Sequence, residues 1–195
     1  MTSKRNLFNW TIVTVAIILA PMILGVIFYS QLPMRIPNHF GVNNQPDRFI
    51  NKNLALFGIP IIATLLQLVL VGAYQADAKR RSRPLRMSWV LFLITPIIST
   101  VIYLITLSFG LGNALDVRRI VTFVIAIFFI AMGNYFPTLT SEDHIAFKSK
   151  IGRKLGYAFV LAGLALLGSL FFNYVGSLLV MGIFIVYILG LVIHR

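Results

Sequence analysis

The chain has 195 residues, 58% of them hydrophobic and 11% charged, with a mean hydropathy of +0.89. A soluble globule of this size needs more polar surface, so the composition describes an integral membrane protein; the net charge of +12 does not point to nucleic acid, because the 17 lysines and arginines sit mostly in short clusters between apolar runs, the pattern that orients membrane spans. The absence of cysteine excludes disulfides, thiolate metal sites and a cysteine nucleophile.

The basic opening MTSKRNLFNW leads into an apolar run without a small-x-small cleavage site at its end, so a retained helix is expected over residues 10–30 rather than a removed signal. Pro21 lies mid-span and should kink the helix and free a carbonyl one turn earlier. A polar stretch, LPMRIPNHFGVNNQPDRFINK, then occupies residues 32–52. The second span, 54–74, carries Pro60 near its start, where proline is tolerated, and the polar side chains Thr64 and Gln67, which are expected to face other helices. Five cations follow: Lys79, Arg80, Arg81, Arg83 and Arg86.

Span three, 87–109, contains Pro96, and the spacing of Thr95, Ser99 and Thr106 keeps their hydroxyls on one helical face. A short turn leads to span four, 117–136, which Pro137 ends; its Asn134 is read as an interhelical hydrogen-bonding group. Residues 138–154 turn polar again, with Ser141, Glu142 and Asp143 resembling a helix start and Ile145, Phe147 and Ile151 suiting an amphipathic surface helix. Span five, 155–172, is associated with glycines 152, 156 and 163 on one face, a stripe that predicts close helix contact. Span six covers 175–193.

About 20 helical residues cross a bilayer core of roughly 30 Å, so the expectation is an all-α integral membrane protein, a six-transmembrane-helix bundle in a single membrane domain, 1–195. Six spans put both termini on one side. With the termini inside, the inner cations are Lys4, Arg5, the Lys79 to Arg86 cluster, Lys148, Lys150, Arg153, Lys154 and Arg195, against Arg35, Arg48, Lys52, Arg118 and Arg119 outside. The excess gives an N-in/C-in topology and makes 32–52 an extracellular proline-rich loop between helices 1 and 2.

No aspartate or glutamate lies deep in a span, which counts against an intramembrane peptidase and a proton-coupled carrier. Under the expected topology His39 and Asp47 lie outside while Glu142 and His144 lie inside, and no His-x-x-x-His or His-Glu-x-x-His spacing occurs. No enzyme activity, catalytic residue, cofactor, metal or nucleic-acid partner is therefore expected, and His39 is read as hydrogen-bonding neighbouring backbone. The Lys79 to Arg86 cluster is expected to orient the chain and attract anionic membrane lipids, or to dock a cytoplasmic regulator.

Orientation does not explain the outer loop. Pro33, Pro37 and Pro46 stiffen it, and Arg35, His39, Phe40, Phe49, the Asp47-Arg48 pair and Lys52 offer cations, aromatics and one acid from that frame. This suits recognition of a peptide or lipid headgroup, with Pro33, Arg35, Pro37, His39, Phe40, Asp47, Arg48 and Lys52 as ligand-binding candidates.

At this loop the chain resembles the SdpI-like family of bacterial membrane proteins, the sporulation-delaying-protein immunity type. The resemblance rests on Leu32-Pro33-x-x-Ile36-Pro37-x-His39-Phe40 followed by a glycine, Asp47 and Lys52, an order found in the domain of unknown function at the start of these proteins. A second match is Gly133-Asn134-Tyr135, then Thr138 through Asp143 and the Gly152 to Gly156 approach to span five. The Gly-x-Arg-Thr-Pro-Trp stretch that many members carry between these segments is missing here, since Pro137 and Thr138 follow almost at once. The resemblance implies a multi-pass protein of the bacterial cytoplasmic membrane that protects its producer from a membrane-active toxin or bacteriocin peptide, with signalling through capture of a repressor as a coupled role in the named member. The expected partners are membrane lipids, a toxin peptide at the outer face and a cytoplasmic regulator. Two alternatives stand beside this: a small-molecule or lipid transporter gated by loop 32–52, and membrane sequestration of a cytoplasmic regulator.

Overall fold

The computed structural model describes residues 4–41, 43–79, 88–138, 149–172 and 174–193. In chain order the elements are α1 (Lys4–Leu19), α2 (Met22–Ile27), β1 (Arg35–Phe40), β2 (Pro46–Asn51), α3 (Ile59–Ala78), α4 (Ser88–Gly110), α5 (Val117–Tyr135), α6 (Ser149–Ser169) and α7 (Tyr174–Ile193). Among the described residues five segments are long and apolar enough to cross a bilayer: Phe8–Ile27, Leu54–Ala78, Ser88–Gly110, Val117–Thr138 and Ile151–Ser169. The apolar run of α7, Val175–Leu191, is shorter. Large side chains such as Val69 (68% exposed) and Ile183 (71%) face outward along these helices. Apolar surface on that scale is what lipid covers, and the protein is a multi-pass membrane protein.

The chain divides into two compact units, residues 1–84 with 91–117, and residues 85–90 with 118–195. In the first, prolines shape the helices. Pro21 has no N–H to return to the Ile17 carbonyl and ends the regular run, so α1 and α2 meet at a break. The freed oxygen does not stay empty, because the Thr100 hydroxyl of α4 donates to Ile17 O at 3.2 Å. The same device recurs on α4. Pro96 vacates the Phe92 carbonyl four residues earlier, and the fully buried Gln67 of α3 donates its Nε2 to that oxygen at 3.1 Å. Both proline gaps are thus filled by a side chain of a neighbouring helix, each bond adding about 0.6 kcal/mol and at most about 1.7 by the experience of such pairs in membranes. Pro60 lies in the first turn of α3, and the chain before it is wound as a π turn, Leu54–Gly58. Ser99 and Thr106 are buried on α4, as their helical spacing predicts.

In the second unit the glycine stripe of α6 lies against α5. A Cβ placed on Gly156 would come 2.8 Å from the Gly133 carbonyl, and one on Gly133 would come 2.8 Å from the Gly156 carbonyl. Gly163 meets the Ala126 carbonyl at the same distance, and Gly152 meets that of Phe136 at 3.0 Å. Backbone approaches backbone at three levels, which only small residues permit. Phe159 packs between Phe129, Phe136 and Phe184, with ring centroids 4.8–5.0 Å apart. Ser169 and Ser177 share a hydrogen bond of 3.0 Å where α6 gives way to α7.

Two expectations change. The fold is mostly helical rather than all-α, because the polar stretch after α2 forms an antiparallel hairpin, β1 with β2. The helix of the fifth span begins at Ser149 and ends at Ser169, so polar residues before the apolar run are part of the helix. The surface helix expected through Ile145 and Phe147 lies outside the described residues, as do Arg80, Arg81, Arg83 and Arg86.

Candidate functional site

The hairpin is the most polar described element, and local chemistry accounts for its shape. Arg35 pairs with Asn51, Ile36 with Ile50 and Pro37 with Phe49, after which the register shifts on either side of His39. Lys52 N–H donates to Met34 O at 3.0 Å, so 34 and 52 are a hydrogen-bonded pair. Alternation along the ladder then puts Pro37 at a non-hydrogen-bonded position, where no N–H is required. At the tip, Gly41 N–H bonds to Gln45 O at 2.9 Å and Asn44 N–H to Gly41 O at 3.0 Å. Asn44 takes the left-handed conformation, φ 65°, that asparagine tolerates better than most residues.

An isolated two-stranded hairpin is marginal in water, so this one depends on what holds it. Its inner face is apolar: Ile36 is 0% and Leu32 4% exposed, in a cluster with Ala55, Leu56, Tyr103 and Leu107. Burying Ile36 contributes roughly 2 kcal/mol. Both Leu32 and Ile36 pack on Gly110, where an added Cβ would come 2.7 Å from the end of the Leu32 side chain and into ordinary contact with Ile36. Phe40 packs against Phe109 with the rings tilted and their centroids 4.6 Å apart. The tip is tethered by Asn44 Nδ2, which donates to Leu115 O at 3.1 Å.

At the root, Lys52 is only 9% exposed. Its ammonium donates to Tyr29 O and Leu32 O, each at 3.3 Å, and lies 4.1 Å from the Tyr29 ring centroid. The Tyr29 hydroxyl in turn donates to Asn53 Oδ1 at 2.6 Å. A cation against the carbonyls that follow α2 is favourable in charge as well as in hydrogen bonding.

The outer face is different. His39 Nδ1 and Asp47 Oδ1 are 2.6 Å apart with both side chains about half exposed. This corrects the backbone-bonded reading of His39: its partner is a carboxylate. Arg35 reaches the Phe49 carbonyl at 3.3 Å. Arg48 is exposed and makes no hydrogen bond or ion pair among the described residues. Met34 (66% exposed) and Phe49 (44%) add apolar surface beside these charges.

Of the eight loop residues singled out in the sequence, Arg35, His39, Asp47, Arg48 and Pro33 are exposed on or beside the hairpin, Phe40 is half-buried on Phe109, and Pro37 and Lys52 are buried. Lys52 is therefore a fastening rather than an open contact. Gln67 is buried at the Phe92 carbonyl, Asn134 is exposed on α5, and Lys79 is exposed at the end of α3. The residues that sequence reasoning missed are Met34 on the outer face, Asn44 at the tip, and Tyr29 and Asn53 at the root. The Asn43-Asn44 pair is a turn signal between two strand-length runs.

Residues 16–64 match a domain of unknown function (DUF1648), a stretch that runs from the last turn of α1 through the hairpin into the beginning of α3. The chain is also similar to the uncharacterized membrane protein YbgB of Bacillus subtilis (strain 168), 36% identical over 45 residues, 23% of this chain and 50% of that protein. The similarity thus spans about half the length of the curated relative. No solved structure matches the chain.

Proposed function

We propose that this is an immunity protein of the bacterial cytoplasmic membrane, with six spans and both termini inside, whose hairpin binds a membrane-active peptide at the outer face and blocks its action. The observation that carries the reading is the contrast between the two faces of the hairpin. Its inner face is fixed by Ile36, its root by Lys52 and its tip by Asn44. Its outer side exposes the His39–Asp47 pair, Arg48, whose side chain has no partner among the described residues, and Met34 and Phe49. Cations, one acid and apolar surface exposed on a pre-ordered frame suit an amphipathic peptide. The resemblance to immunity proteins in the same residues supports this choice of ligand.

A gate over a transport path is less well supported, since opening would require the buried root and the tethered tip to lift together. Expression of the chain in a strain sensitive to membrane-active peptides is expected to confer protection. Asp47→Ala, which removes the acid of the face and releases His39, should reduce that protection about tenfold, the effect of losing one interface contact of about 1.4 kcal/mol. Equal sensitivity with and without the chain across a panel of such peptides would exclude the immunity reading.

A further inference from the structure

The second unit carries an apolar groove that neither the hairpin nor the matched domain involves. It lies open between α6 and α7, encloses about 380 Å³, and has a floor of Ala158, Ala162 and Ala165 against Val180 and Phe184. Its depth along the helices follows from the chain. The Ser169–Ser177 bond marks the connected end. At 1.5 Å per residue, Tyr157 and Tyr187 stand about 18 and 15 Å from that end, at similar depth on facing helices. Both tyrosines line the groove and both are exposed, at 67% and 45%. One turn further lie Arg153 and Lys154, exposed, with no hydrogen bond or ion pair among the described residues. Lys154, Ala158, Ala162 and Ala165 follow at offsets of four, four and three, so the cation and the groove floor share one face of α6.

We infer that this groove is a binding site for an anionic glycerophospholipid, with one acyl chain lying on the alanine floor and the phosphate held by Lys154 and Arg153. The order along α6, cations, then a tyrosine at interfacial depth, then a dry alanine channel, matches the order of such a lipid from headgroup to tail. A zwitterionic lipid leaves the two cations without a net counter-charge, which selects the anionic class.

The full-length protein in a neutral detergent, titrated with dioleoyl phosphatidylglycerol and separately with dioleoyl phosphatidylcholine under native mass spectrometry, tests this. The phosphatidylglycerol complex should persist to at least tenfold lower lipid concentration. Arg153→Gln with Lys154→Gln should weaken it about thirtyfold, equivalent to about 2 kcal/mol at 1.4 kcal/mol per factor of ten. Ala165→Phe, on an exposed position, should weaken both lipids by filling the channel. Equal retention of the two lipids, or an unchanged affinity in the double variant, would overturn the assignment. Because the chain has no cysteine, Ala165→Cys gives a clean further reading. Predominant disulfide-linked dimer in phosphatidylglycerol vesicles would make a second copy the occupant and also overturn it, whereas a monomer supports the lipid.

Discussion

Gly156→Leu is expected to lower the unfolding free energy by about 3 kcal/mol or more, while Gly168→Ala on the same helix leaves it unchanged or slightly raised. The difference lies in what surrounds each Cα. At Gly156 the first added carbon meets the Gly133 carbonyl and the Pro137 ring, all at 2.8 Å. A backbone carbonyl and a proline ring cannot turn aside as a long side chain can, so α5 and α6 must separate. Separation at this level also opens the contacts at Gly152 and Gly163, which makes the cost larger than a local clash. Gly168 has nothing within 4 Å, so a methyl there adds helix propensity of up to about 1 kcal/mol. Unfolding by sodium dodecyl sulfate titration in mixed micelles, followed by circular dichroism, measures both. Equal stability of the two variants would contradict the backbone-to-backbone contact.

Lys52→Met is expected to cost about 2 kcal/mol and to loosen the hairpin specifically. Two opposing terms decide the size. Removing a buried ammonium recovers desolvation energy, which for ion pairs can cancel the loss. Here the partners are carbonyls that remain when the charge goes, and the Leu32 oxygen is bonded to Lys52 in a buried setting. A buried acceptor left without a donor costs about 1–3 kcal/mol, and the contact with the Tyr29 ring adds about 0.5–2 kcal/mol. The losses win. Arg48→Met, which removes a hairpin cation with no side-chain partner among the described residues, should stay within about 0.5 kcal/mol. Hydrogen exchange of the β1 and β2 amides separates the cases, with faster exchange in Lys52→Met alone. Unchanged exchange there would mean that the apolar cluster holds the hairpin without the lysine.

The helices were legible because bilayer-length apolar runs and the 4- and 7-residue glycine offsets are local patterns, and the structure places both in helices. Boundaries moved where polar residues stay helical, as at the start of α6. The hairpin was hidden by its own prolines. Pro37 argues against a strand until the register shows that its position needs no N–H. Asp47 bonds to His39, eight residues earlier on the other strand, a pairing that only the hairpin brings together. Lys52 read as an open cation because Tyr29 and Leu32, its partners, lie 23 and 20 residues away, a separation no local pattern reports. Gln67 was recognisable as an interhelical donor, and its acceptor follows from Pro96 once α3 and α4 are known to be neighbours.

The proposed function needs a hairpin whose root is buried in the helices and whose exposed side faces the medium and a peptide. Single-cysteine variants in this cysteine-free chain test that most directly, using a membrane-impermeant maleimide on intact cells. Arg48→Cys and Met34→Cys should label at once, Ile36→Cys should stay unlabelled until the protein is denatured, and prior addition of a peptide the chain protects against should block labelling at position 48. Labelling at position 48 only after the membrane is permeabilised, or labelling there that the peptide does not change, would contradict it.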